Sequence, residues 1–252
     1  MQGDIYIKND TAGRPEKILY DSIDDAVAAA VANDIIIIES GDYTLEGAVN
    51  ITKPGIKIIG IGDVAINGAV GADYCFKTVL GALTATSEIT FKNLTINHED
   101  DSAQVGIWII NTSATKKLNV YLTDVEFGTG GGQSIDVDNA DATAAIRVYA
   151  KGCETEGAVG FAQANAGDRL RFREGTLRGG LVLGATDVAA EIYIMNSVIL
   201  HQGCSGGANT VRLWLVNCES ETDADPNVYN ITDNADTGDA VNVYVNGTVT
   251  TD

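Results

Sequence analysis

Two aspartates stand two residues apart in Ser134-Ile135-Asp136-Val137-Asp138, each following an aliphatic β-branched residue. Read as a strand, this stretch buries Ile135 and Val137 and points both carboxylates out from one face, roughly 6–7 Å apart from the rise per residue. Inverting glycosidases place their general acid and general base at a similar separation. The competing reading is a solvated strand in a chain already rich in acid, because carboxylates in unusual settings are often structural. The spacing Asp136-x-Asp138-x-x-Asp141 also brings oxygen ligands together, but it departs from the Asp-x-Asp-x-Asp-Gly calcium loop, so no metal ligand is assigned. His98-Glu99-Asp100-Asp101 is most simply a solvated turn, and His98 and His201 stand 103 residues apart, each beside a strand end. No cofactor and no catalytic residue outside the Asp136/Asp138 pair is assigned.

Those aspartates need a scaffold, and the sequence supplies one as a repeat. An apolar-x-apolar strand, then Asn, Asp or Gly, recurs from Ile89-Thr90-Phe91-Lys92-Asn93 through Val120-Tyr121-Leu122-Thr123-Asp124 and Val148-Tyr149-Ala150-Lys151-Gly152. It continues through Leu170-Arg171-Phe172-Arg173-Glu174-Gly175, Ile192-Tyr193-Ile194-Met195-Asn196 and Leu213-Trp214-Leu215-Val216-Asn217 to Val243-Tyr244-Val245-Asn246. With Gly175 taken as the fourth bend residue, the gaps between bends are 31, 28, 23, 21, 21 and 29 residues. That range suits a solenoid whose rungs share strands and differ in loops. Asn, Asp and Gly fit a sharp bend because they tolerate positive φ best. Ile89, Val120, Val148, Leu170, Ile192, Leu213 and Val243 then stack inward as an apolar ladder. Hairpin signals are missing except at Asn246-Gly247, so the strands pair between rungs and run parallel.

The outward position of each repeat reads Thr90, Tyr121, Tyr149, Arg171, Tyr193, Trp214 and Tyr244. Five aromatics on one outer line stand out in a chain that is 6% aromatic. Stacking within the sheet is the plainest use of such a ladder. Burial against another subunit, where Tyr, Trp and Arg concentrate, is a second, and a sugar-binding platform a third. Trp108 in Gly106-Ile107-Trp108-Ile109-Ile110 widens an apolar patch on another face.

At the start of the chain, Asp21 or Ser22 caps a short helix in a Ser-x-x-Asp box, and Asn33 marks its stop. This helix lids the open end of the stack, where a bare rung would expose strand edges. Beneath it Ile35 to Ile38, four isoleucines in a row, forms a strand buried on both faces. The reading is one domain over residues 1–252, with an N-terminal strand and capping helix in 1–34 and rungs over 35–252.

Composition narrows the class. A chain of 252 residues, 45% hydrophobic, can bury a sizeable core. A net charge of −19 argues against a nucleic-acid partner. The sequence has no apolar run long enough to cross a membrane. The start Met1-Gln2-Gly3-Asp4-Ile5 has neither the basic nor the apolar region of a signal peptide. Cys75, Cys153, Cys204 and Cys218 are far apart and read as buried thiols.

The passage "DSIDDAVAAAVANDIIIIESGDYTL", followed by "ITKPGIKIIGIGDVAING", resembles the start of right-handed parallel β-helix proteins of the pectin-lyase-like superfamily. With the repeats, the resemblance spans most of the chain and implies an all-β, right-handed single-stranded parallel β-helix with a short N-terminal capping helix. The superfamily holds lyases, hydrolases, epimerases and non-catalytic virion proteins, so fold alone selects no activity. The ordered Asn-Thr-Asp, Asp-Asp, Gly-His-Gly and Arg-x-Lys signatures of polygalacturonase-like members have no counterpart here; Asn230-Ile231-Thr232-Asp233 comes too late in the chain. The resemblance therefore implies a structural virion protein, a phage capsid decoration protein ahead of a small tail spike, assembled in the host cytoplasm. Its partners would be itself, as a homotrimer joined along Tyr121, Tyr149, Arg171, Tyr193, Trp214 and Tyr244, and the major capsid protein. The alternative is a carbohydrate-active β-helix enzyme using Asp136 and Asp138 on a glycan.

Overall fold

The computed structural model describes residues 3–8, 17–81, 83–98, 104–113, 115–128, 132–139, 144–163, 167–183, 191–199, 204–206, 212–220, 242–245 and 248–250. Parallel strands build it into a β-helix solenoid, with strands in a 16-stranded sheet and a 7-stranded sheet. Successive rungs of the large sheet run through Ile35–Thr44, Lys57–Asn67, Ser87–Asn97, Leu118–Phe127, Ile146–Lys151, Arg169–Arg173, Glu191–Met195, Arg212–Val216 and Asn242–Val245. The small sheet stacks Val49–Ile51, Tyr74–Leu80, Val105–Asn111, Gln133–Asp138, Ala158–Gln163, Leu181–Leu183 and Cys204–Gly206.

The inward ladder is the one the repeat predicts. Ile89, Val120, Val148, Leu170, Ile192, Leu213 and Val243 are consecutive register neighbours. The first six of these side chains are buried, while that of Val243 lies outside the described residues. A second ladder, Ile58, Phe91, Leu122, Ala150, Phe172, Ile194 and Leu215, packs beside it. Each fully buried Leu, Ile or Phe side chain contributes about 1.5–3 kcal/mol over exposure, so the stacked interior dominates stability.

From Ser87–Asn97 to Arg212–Val216, six successive rungs of the large sheet each bend at one residue with φ between 49° and 63°: Asn93, Asp124, Gly152, Glu174, Asn196 and Asn217. The fourth bend therefore falls on Glu174 and not on Gly175, correcting the sequence reading. Two gaps change accordingly, to 22 and 22 residues. Gly175 is held for a different reason. A Cβ there would collide with the Cys153 carbonyl oxygen and come within 2.9 Å of the Phe172 ring. The glycine serves close packing against the rung before, and the bend falls to the residue ahead of it. The bend at Asn246 lies outside the described residues.

The N-terminal lid is more elaborate than a strand and a helix. Ile5–Lys8 pairs antiparallel with both Lys17–Tyr20 and Ile35–Thr44, so the first parallel rung is extended by a reversed hairpin. The helix Ile23–Ala29 is capped by Ser22, whose Oγ accepts from the Asp25 N–H at 3.1 Å. It buries Ile23, Ala26 and Val27 against strands of both sheets. Asn33 lies past the helix end with φ 70°, and its N–H donates to the Pro54 carbonyl at 2.9 Å. At the other end Asn242–Val245 pairs antiparallel with Thr248–Thr250, the hairpin that Asn246-Gly247 signals.

Candidate functional site

Two outward faces carry the candidate side chains. On the large sheet, the register sets Thr90, Tyr121, Tyr149, Arg171, Tyr193, Trp214 and Tyr244 side by side on consecutive strands. Tyr121 and Tyr149 stack with ring centroids 5.1 Å apart and planes 13° apart; Tyr193 and Trp214 stack at 4.4 Å and 4°. The Arg171 guanidinium bridges the two pairs, 5.9 Å from the Tyr149 ring and 5.6 Å from the Tyr193 ring. The result is one continuous stack from Tyr121 to Trp214. The strand spacing of about 4.8 Å is close to the spacing that parallel π-systems favour, so neighbouring strands hold the rings in contact. The side chain of Tyr244 lies outside the described residues. Stacking within the sheet is thus realised, and the rings remain only half-buried along their outer edges.

Charges flank the stack. Arg169 pairs with Glu191 and Lys151 with Glu174, the latter at 3.2 Å. The Tyr121 hydroxyl donates to Glu88 at 3.4 Å, and burial followed by the Glu88 charge pushes its pKa up. On the far side of the bend, Asp42, Asp63, Asp124, Glu126 and Glu154 line an acidic groove of about 570 Å³. Among the described residues no three His, Cys, Asp or Glu side chains are placed to hold a metal ion.

The second face belongs to the small sheet. Ile135 and Val137 are buried in the interior, as the alternation requires, while Ser134 is buried with its Oγ accepting from the Gly157 N–H at 3.0 Å. Asp136 is not the solvated group that an acid-rich strand suggests. It keeps 9% of its exposure, and burial, aided by the charge of Asp138, pushes its pKa up to about 6. Asp138 is half-buried. Asp141 and His201 lie outside the described residues. His98 is buried just past the end of its strand, with both ring nitrogens unpartnered among the described residues and its pKa lowered by burial.

Register gives Asp136 its neighbours: Trp108 on the rung before and Gly160 on the rung after. Lys77, one rung earlier, lies over the Trp108 ring with Nζ 3.4 Å from the centroid, and Tyr74 meets the same ring edge-on at 5.7 Å. Asp136 Oδ1 and Trp108 Nε1 are both buried without a hydrogen-bond partner among the described residues. At Gly160 a Cβ would come within 2.8 Å of Asp136 Oδ1 and 2.7 Å of Gln133 Nε2. Glycine therefore leaves open the notch towards which an acceptor and a donor converge. Lys77, Gln133 and Gly160 escape a motif search because nothing local marks them. Only Lys77 has a signal, its spacing: 77, 108 and 136 are separated by 31 and 28 residues, as are the bends at 93, 124 and 152. Gly160 follows Asp136 by 24 residues, whereas the bend at 174 follows that at 152 by 22.

No protein-family profile and no curated protein matches the chain. A solved structure of pectin methylesterase in complex with a hexasaccharide is similar in fold. It aligns at a TM-score of 0.41 and 14% identity over 81% of this chain and 63% of that one. The chain thus spans somewhat under two thirds of the length of the protein it matches.

Proposed function

We propose that this β-helix is a structural assembly protein without catalytic activity, a virion decoration protein that works as a homotrimer on a shell of major capsid protein. The observation that carries this reading is the continuous Tyr121–Tyr149–Arg171–Tyr193–Trp214 stack. Aromatic and arginine side chains concentrate at the centres of protein interfaces, and here the stack fixes their rotamers before any contact is made, which lowers the entropy lost on docking. The sequence resemblance to virion β-helices supplies the setting. Sedimentation tests it: the wild type should sediment as an oligomer, and Tyr193→Ala/Trp214→Ala as a folded monomer. A wild type that stays monomeric at high concentration overturns the reading.

One observation favours a second reading, a carbohydrate-active enzyme with Asp136 as acid and Asp138 as base. Asp136 is a buried carboxyl with an unpartnered oxygen and a pKa near 6, beside a half-buried carboxylate. A buried carboxyl whose pKa is raised towards neutrality suits the general-acid role. Product release from a panel of polygalacturonates, abolished in Asp136→Asn, would establish it.

A further inference from the structure

Two neighbouring strands, Ile146–Lys151 and Arg169–Arg173, present six side chains on the outer face of the large sheet: Arg147, Tyr149, Lys151, Arg169, Arg171 and Arg173. Five of the six are cationic, although the chain as a whole carries 16 Lys and Arg against 35 Asp and Glu. The register even sets like charges side by side, Arg147 against Arg169 and Lys151 against Arg173. Like charges directly opposite one another destabilise a sheet. Nearby acid offsets this only in part. Lys151 and Arg169 have carboxylate partners, whereas Arg147, Arg171 and Arg173 form no ion pair among the described residues. Arg171 and Arg173 are exposed, and the flanking Tyr149 and Tyr193 rings brace Arg171 from both sides.

We infer that this face is the basic half of a heterologous contact: it docks on the acidic surface of a second copy of this chain, and not on the same face of that copy. The inference rests on the self-assembly reading above, whose three-membered ring already requires a heterologous contact, and adds to it which surface supplies each half. A two-fold contact through this face would set the same patch on both subunits, cation against cation, in a surface losing its water. The remainder of each copy is more acidic even than the −19 of the whole chain, so it complements the patch. A heterologous contact closes into a ring of three or more subunits or grows as a filament; it does not make a two-fold dimer.

Salt gives the two arrangements opposite signs. Raising NaCl from 0.1 to 1 M shortens the screening length from about 10 Å to about 3 Å. Sedimentation of the wild type should show an assembly larger than a dimer at 0.1 M, with its apparent dissociation constant raised about tenfold or more at 1 M. Arg171→Glu/Arg173→Glu, with an unchanged circular dichroism spectrum, should sediment as a monomer at 0.1 M; if that variant does not fold, Arg173→Gln should weaken assembly in the same direction. Tighter association at 1 M overturns the basic-to-acidic contact and leaves the homotrimer standing, whereas a two-fold dimer overturns both. A wild type that is monomeric in both salts overturns both. If that monomer binds heparin and the double variant does not, the face belongs to a different polyanion and the inference also fails.

Discussion

Tyr193 and Trp214, on adjacent strands, lie face to face with ring centroids 4.4 Å apart and planes within 4°. Neither ring needs a partner to be ordered, because the sheet register already places one over the other. Aromatic pairs add about 0.5–1.5 kcal/mol beyond area burial, so a double-mutant cycle to Ala should return a coupling of about 1 kcal/mol. Urea unfolding of the wild type, the two single variants and the double variant, at concentrations where all four are monomeric, measures it. A coupling near zero would mean that the stack adds no stability of its own.

The buried carboxyl at Asp136 makes stability fall with rising pH. Its folded pKa of about 6 lies above the 3.8 of an unburied aspartate. Well below pH 4 both folded and unfolded chains hold the proton and no penalty exists. Between pH 4 and 6 the unfolded chain releases it first, so stability is lost, and the full cost is present above pH 6. A shift of two pKa units corresponds to about 3 kcal/mol at most. Asp136→Asn, which cannot ionise, should exceed the wild type by only about 0.5 kcal/mol at pH 4 and by about 2–3 kcal/mol at pH 7.5. Equal unfolding midpoints for the two proteins at pH 7.5 would show the carboxylate to be solvated or paired.

Gly160 should be intolerant of any side chain. Gly160→Ala places a methyl within 2.8 Å of both Asp136 Oδ1 and Gln133 Nε2, so at least one must leave the notch. Overpacking of this kind costs about 1–3 kcal/mol, and displacement of Asp136 towards water should bring its titration back towards the ordinary carboxylate range. NMR titration of the Asp136 side-chain carbon reads the second effect. An unshifted titration would place the new methyl away from the carboxyl.

How much of this was legible in the sequence divides along local and non-local lines. The inward ladder from Ile89 to Leu213 and the outward line from Tyr121 to Trp214 could be read directly, because a period of two within each strand decides which face a residue takes. The cap at Ser22 was equally local. Missed were Lys77 over Trp108 and the opening at Gly160, since these depend on loop lengths that set the register between rungs. The burial of Asp136 was also missed. Alternation correctly places it on the outer face, but it cannot report what covers that face.

The bend at Glu174 offers the sharpest test of why one reading of the repeat went astray. Glu-Gly presents a glycine where a bend is due, and the natural assignment gives the glycine the positive φ. In the structure Glu174 has φ 55°, while Gly175 faces the Cys153 backbone and the Phe172 ring. The left-handed conformation costs a residue with a Cβ about 1–2 kcal/mol, less for Asn, which hydrogen-bonds locally. Glu174→Asn forfeits the half-exposed pair with Lys151, worth about 0–1 kcal/mol, but relieves the backbone. It should therefore be neutral to stabilising by about 0.5–1 kcal/mol. Gly175→Ala should behave in the opposite way. Its methyl meets a carbonyl oxygen that belongs to the ladder and cannot move without disturbing the rung before, so a loss of about 2–3 kcal/mol is expected. Denaturant midpoints of the two variants decide between the assignments. A tolerated alanine at 175 beside a destabilising asparagine at 174 would return the bend to the glycine.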